Sequence, residues 1–144
     1  STHFTMGGSW SVYWYNGVMV SSEIARGLDV FELTPSQYIS QNEIDAAKSV
    51  HLDYLNTQGQ PKFIWPASYS LSRAYLDQLE RMNGLPAERI KVARQTLDKA
   101  EKNASTTGKH TGLTALAKEL ELQAKGRDPK VATLAASVRE LAAK

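Results

Sequence analysis

Glu23, Arg26 and Asp29 fall within a single seven-residue window. Two carboxylates steered by an arginine are the residue types of acid–base chemistry. In a fragment of a hydrolase-like enzyme, Glu23 and Asp29 would exchange protons with a substrate and Arg26 would orient them. The same trio also fixes a tight turn and blunts an edge strand. Structural ion pairs are far commoner than catalytic ones, so the turn clamp is the expected role and catalysis the alternative.

A second grouping is aromatic: Trp10, Tyr13, Trp14 and Tyr15. Aromatic faces stack on the apolar surfaces of sugars and peptides. Strand alternation puts Trp10 and Trp14 on one face, where they are expected to be core. Tyr13 and Tyr15 fall on the other face and are the candidate binding residues, with Trp65 as a third farther along. The histidines, His3, His51 and His110, have no helix-ligand spacing. His51 with Asp53 is the nearest approach to a metal pair, so no metal and no cofactor are expected. The absence of cysteine excludes disulfides, thiolate metal sites and cysteine nucleophiles. No Gly-x-Ser-x-Gly elbow occurs, and no glycine-rich loop follows a strand and opens a helix. Asn103-Ala104-Ser105 fits the N-glycosylation pattern, which has meaning only in a chain secreted from a eukaryote.

The elements that must hold these residues read as an α+β chain, with an N-terminal antiparallel β meander followed by a predominantly α-helical bundle. A partial strand and loop precede Ser9. Ser9 to Tyr15 alternates as a strand, and Asn16-Gly17 is a strong hairpin signal because both residues tolerate positive φ. Val18 to Ser22 returns, Arg26-Gly27 turns again, and Leu28 to Leu33 is the third strand. Both faces carry large apolar groups, so the sheet is expected to pack on helices or on further β structure. Thr34-Pro35-Ser36-Gln37 predicts a helical turn near 35–39. Ser40-Gln41-Asn42-Glu43 repeats the capping box and starts a helix running to about Val50, with Ile44 and Ala47 inward. Residues 51–67 are broken by Gly59, Pro61 and Pro66 and read as an extended connector anchored by Trp65.

Four helices are expected after the connector. The first spans about Ser68 to Met82, with Leu71, Ala74, Tyr75, Leu79 and Met82 inward, and is stopped by Asn83-Gly84. Pro86 opens the second, which runs to about Lys102 with Ile90, Ala93, Leu97 and Ala100 inward. A polar, flexible break is expected over 103–111. The third helix follows to Lys125, with Leu113, Leu116, Ala117 and Leu120 inward. Asp128-Pro129 starts the fourth, on a stripe of Val131, Leu134, Ala135, Val138, Leu141 and Ala142. The expected divisions are a meander over 1–33, short helices and connector over 34–67, and helical hairpins over 68–103 and 104–144.

The 144 residues suit one domain or two small ones, and a meander of 33 residues cannot bury a core alone. A net charge of +2 is too weak for a nucleic-acid partner, and the basic pair Lys125 and Arg127 is split by Gly126. No apolar run is long enough for a transmembrane segment. The chain opens at Ser1 without a methionine, which suggests a mature product or a fragment of something longer.

Two segments carry a family resemblance: Trp10-Ser11-Val12-Tyr13-Trp14-Tyr15-Asn16-Gly17 and Ser22-Glu23-Ile24-Ala25-Arg26-Gly27-Leu28-Asp29-Val30-Phe31. Together, within His3 to Leu33, they resemble the last repeat of bacterial LVIVD-repeat proteins, which look like exported β-propellers with a helical tail. Phe63-Ile64-Trp65-Pro66-Ala67-Ser68 and Ala74-Tyr75-Leu76-Asp77-Gln78-Leu79 look like parts of such a tail. The other blades are missing. The resemblance implies the C-terminal end of a longer exported protein, periplasmic, extracellular or on the cell surface. Its partner would be another protein or the remaining propeller blades, and no reaction is implied. The first functional expectation is therefore a non-enzymatic structural and interaction module. The alternatives are the Glu23/Asp29 enzyme fragment and a helical adaptor docking through 112–144.

Overall fold

The computed structural model describes residues 7–144, so His3 and most of the partial strand expected before Ser9 lie outside the described residues. The chain divides into two compact units, Ser1–Trp65 and Pro66–Lys144. Among the described residues a three-stranded antiparallel meander is followed by five α-helices, an α+β order.

In the first unit the strands are β1 (Ser9–Tyr15), β2 (Val18–Glu23) and β3 (Gly27–Phe31), paired in that order. Asn16 and Gly17 both take positive φ, 47° and 92°, the conformation a two-residue hairpin turn requires. Gly17 is also buried, and a Cβ there would press to 3.2 Å from Cγ of Lys48. The register pairs Tyr13 with Val20 and Val20 with Val30, so these three share a face with Ser22 and Leu28. Trp14, Met19 and Phe31 share the other face with Val12, Ser21 and Asp29.

Two features of the meander depart from simple alternation. Between Ser9 and Ser11 the register shifts, so two residues of β1 oppose one of β2. This bulge breaks the alternation that was to bury Trp10 beside Trp14, and Trp10 is 75% exposed. β3 also ends at Phe31 rather than Leu33, because β2 has little strand left to pair with beyond Met19.

The helical turn expected over 35–39 does not form. Ser36 N–H donates to the Ile39 carbonyl at 2.9 Å and Tyr38 N–H to Ser36 Oγ at 3.2 Å, closing a bend instead. The second capping box does form. Ser40 Oγ accepts from Glu43 N–H at 3.2 Å, and a Glu43 carboxylate oxygen accepts from Ser40 N–H at 2.7 Å, opening α1 (Gln41–Lys48). Ile44 and Ala46 are its buried residues, while Ala47, expected inward, is half-buried. In the connector a short 3-10 turn, Thr57–Gly59, is capped by Asn56.

The second unit contains α2 (Tyr69–Arg81), α3 (Ala87–Lys102), α4 (Thr106–Ala124) and α5 (Pro129–Ala142). One core runs through all four, from Leu76 and Leu79 through Ile90 and Leu97 to Leu113, Leu120, Val131 and Val138. The stripes expected on α3 and α4 are buried throughout, and on α5 only Ala142 is half-buried. On α2, Met82 lies past the last helical residue and is exposed, and Leu76 takes part in the core instead. Asn83, at φ 53°, supplies the left-handed stop, and Gly84 N–H bonds the Leu79 carbonyl at 2.8 Å. The break after α3 is only three residues, because Ser105 caps Gly108 N–H and winds 106–111 into α4.

Since α4 and α5 cover the apolar stripes of α2 and α3, removing residues 104–144 is expected to abolish the helical circular-dichroism signal of 66–103. A truncated chain that kept that signal would show α4 and α5 to be dispensable to the core.

Candidate functional site

The positive-φ turn at Asn16 frees a side-chain amide at the tip of the β1–β2 hairpin. That amide is bonded on both sides to one residue of the connector. Asn16 Nδ2 donates to the Leu52 carbonyl at 2.9 Å, and Leu52 N–H donates to Asn16 Oδ1 at 2.8 Å. Tyr15 Oη adds a third bond to the same carbonyl at 3.1 Å. The connector residues that follow Leu52 are thereby brought over the Tyr13 face of the sheet.

The result is a pocket of about 340 Å³ lined by Tyr13, Tyr15, Val20, Asp53, Tyr54, Leu55 and Thr57. Three of its seven lining residues are tyrosines, and its one ionisable carboxylate is Asp53. Tyr54 and Tyr13 are exposed, whereas Tyr15 is half-buried with its hydroxyl turned to the backbone. No stacked pair among the described residues includes any of the three rings, so their faces are not spent on one another. Asp53 makes no ion pair among the described residues. The pocket offers π faces, a carboxylate and the Thr57 hydroxyl.

Of the residues singled out for binding, Tyr13 and Tyr15 meet in this pocket. Trp65 is not among its lining residues. It stacks on Phe63, with centroids 6.0 Å apart and planes 27° apart. Tyr54 and Asp53 were not singled out as a binding pair. Asp53 enters the sequence reading only beside His51, as the nearest approach to a metal pair, and the signal for the pocket was Asn16, a turn residue whose side chain can bond a distant backbone.

Glu23, Arg26 and Asp29 are also brought together, as a turn clamp. Glu23 accepts from Gly8 N–H at 2.9 Å, Ala25 N–H at 2.8 Å and Arg26 N–H at 2.6 Å. These backbone donors, Gly8 foremost, hold its carboxyl below the usual glutamate value, with the Arg26 charge adding to them. Arg26 in turn donates to Asp29 at 2.7 Å, which raises the guanidinium further. A carboxylate whose acceptor positions are taken by backbone amides is poorly placed to accept a substrate proton.

A second cavity, about 640 Å³, lies in the helical unit beside Tyr69, Lys109, His110, Leu113, Leu141 and Lys144. Two of its polar groups are already spent on backbone. His110 Nδ1 donates to the Ala142 carbonyl at 2.9 Å, and Lys144 Nζ donates to the Ala67 carbonyl. Among the described residues no cluster of histidine and carboxylate side chains could hold a metal. Comparison with protein-family models, curated proteins and solved structures gave no match to this chain.

Two outcomes follow from the clamps. Asn16→Gly, which keeps the positive φ but removes the amide, is expected to speed hydrogen exchange at Leu52 N–H and loosen residues 52–57 while leaving the hairpin paired. Unchanged exchange there would show that the connector is held by other contacts. Glu23→Gln is expected to lower protection of the Gly8 and Arg26 amides at neutral pH. A carboxyl lowered in the folded state stabilises above the unfolded glutamate value and loses that contribution as pH falls through the folded value. The difference between Glu23→Gln and the parent should therefore shrink on acidification, and a difference independent of pH would show that the charge is not what holds the turn.

Proposed function

We propose that this chain is a non-enzymatic interaction module whose meander packs against further β structure, as a blade of an exported repeat protein would. The observation that carries the reading is the state of β3. Leu28 is 63% exposed and Val30 58%, side by side on one face of an edge strand. On the opposite face Val12 and Phe31 are exposed as well. A strand with apolar residues open on both faces is a surface for more structure, since solvated sheets normally alternate apolar with polar. The buried indole N–H of Trp14, which has no acceptor among the described residues, supports the same reading.

The resemblance of Trp10–Gly17 and Ser22–Phe31 to the closing repeat of LVIVD proteins supports the kind of structure that would cover the sheet. It is also the sole support for an exported location. Among the described residues no helix is long and apolar enough to cross a membrane. The acid–base alternative gains nothing from the Glu23 geometry. The adaptor alternative must work from the outer faces of α4 and α5, because their apolar stripes are used in the core.

The test is Val30→Thr, which keeps the β-branched shape and adds a hydroxyl. Melting is measured in the 144-residue chain and in the natural product that contains it. In a covered sheet the hydroxyl is buried, and the natural product is expected to lose about 1–3 kcal/mol. In the chain alone the change should stay within about 0.5 kcal/mol. A natural product no longer than this chain, or equally small effects in both, would overturn the proposal.

A further inference from the structure

The pocket over β1 and β2 has a composition that selects a charge. Its lining holds three tyrosine rings and one carboxylate, Asp53, and no lysine, arginine or histidine. Tyrosine faces are electronegative and attract a cation placed over them, and an ammonium carrying methyl groups also gains from the apolar contact with the rings. Val20 and Leu55 add apolar wall, and the carboxylate supplies the counter-charge. A saccharide would want several planar polar side chains aimed inward. Here the Tyr15 hydroxyl is committed to the Leu52 carbonyl, which leaves few donors for sugar hydroxyls.

We propose that Tyr13, Tyr15, Tyr54 and Asp53 form a binding site for an organic ammonium group, a methylated ammonium above all. The rings stay unstacked on one another, so a ligand meets their faces without first parting them. Asn16 acts as a positioning residue, because its bonds to Leu52 hold Asp53 and Tyr54 opposite Tyr13. The site shares a face with Val30, the partner of Val20 across the strand pair, but Leu28 and Val30 are not among its lining residues and it needs no further β structure.

Choline chloride titrated into the whole chain, followed by the tyrosine ring resonances, is the direct test. The comparison ligand is the neutral isostere of choline in which carbon replaces the quaternary nitrogen. Choline is expected to saturate with a dissociation constant on the order of a millimolar, and the isostere to bind about tenfold more weakly or not at all. Tyr54→Ala, at an exposed position, should weaken choline by about three- to tenfold with the melting temperature unchanged, while Tyr54→Phe retains binding. Asp53→Asn should weaken choline and leave the isostere unaffected. Equal binding of choline and its isostere would overturn the proposal, as would saturation by methyl glucoside alone or the absence of any saturable shift. If choline binds while Val30→Thr behaves alike in both contexts, the ammonium site stands and the blade reading falls. The reverse pair of results removes the site and keeps the blade.

Discussion

The bonds between the Asn16 side chain and the Leu52 backbone are the constraint on which the first unit depends. A hairpin tip and a connector separated by 36 residues are joined by a donor and an acceptor on one amide, at 2.9 and 2.8 Å. The geometry needs a residue that tolerates positive φ and also carries both hydrogen-bonding functions in a short side chain. Asparagine meets both conditions, glycine only the first, and aspartate lacks the donor. Gly17 beside it is equally restricted, by its φ and by the Lys48 stem packed over it. The turn that closes the hairpin thus also chooses which stretch of connector covers the sheet. The pocket follows from that choice.

The second unit rests on a different principle, the matching of small and large side chains between helices. Ala93, Ala100, Ala117 and Ala135 are buried among Leu79, Leu97, Leu120 and Leu134, so large residues meet small ones and the helices close up. One polar pair interrupts this core. Ser72 Oγ on α2 lies 3.1 Å from Ser137 Oγ on α5, and Ser137 also donates to the Leu134 carbonyl at 2.8 Å. Since each hydroxyl has a partner, the pair fixes how α2 and α5 register without leaving a buried donor unpaired. On the surface Arg73 bridges Asp98 and Glu101, and Arg94 bridges Asp77 and Glu80, pinning α2 to α3 at two heights. Such exposed bridges add little stability each, and the core carries the fold.

Periodicity made the helical unit legible. The buried residues of α3 and α4 and most of those of α5 follow from a 3.6-residue stripe, and the Asn16-Gly17 turn follows from its dipeptide. What escaped were places where a second interaction overrides a local pattern. Trp10 is exposed because a bulge, a property of strand pairing, resets the alternation. Residues 106–111 are helical although polar, because Ser105 caps them and the stripe of α4 extends the turn backward. Thr34-Pro35-Ser36-Gln37 has helix-start residues, but Ser36 bonds to Ile39 and closes a bend first. The pocket was half legible. Tyr13 and Tyr15 share a face by alternation alone, whereas Asp53 and Tyr54 reach it through a long-range bond that no local pattern encodes.

The two faces of β3 differ in charge, and the turn clamp is what separates them. On one face Asp29, tied to Arg26 at 2.7 Å, places a charge beside the edge. An ion pair there discourages indiscriminate edge-to-edge pairing, the usual hazard of a short exposed strand. On the other face Leu28 and Val30 remain open and apolar, in line with Ser22 and Val20 across the strand pair. Phe31 is exposed on the Asp29 face as well, so both faces of β3 carry open apolar surface and the ion pair marks only one of them. Glu23, holding the Gly8, Ala25 and Arg26 amides, keeps the turn in the shape that presents Arg26 to Asp29. The residues that most resemble an acid–base site thus hold the β2–β3 turn in shape and set an ion pair on one face of β3.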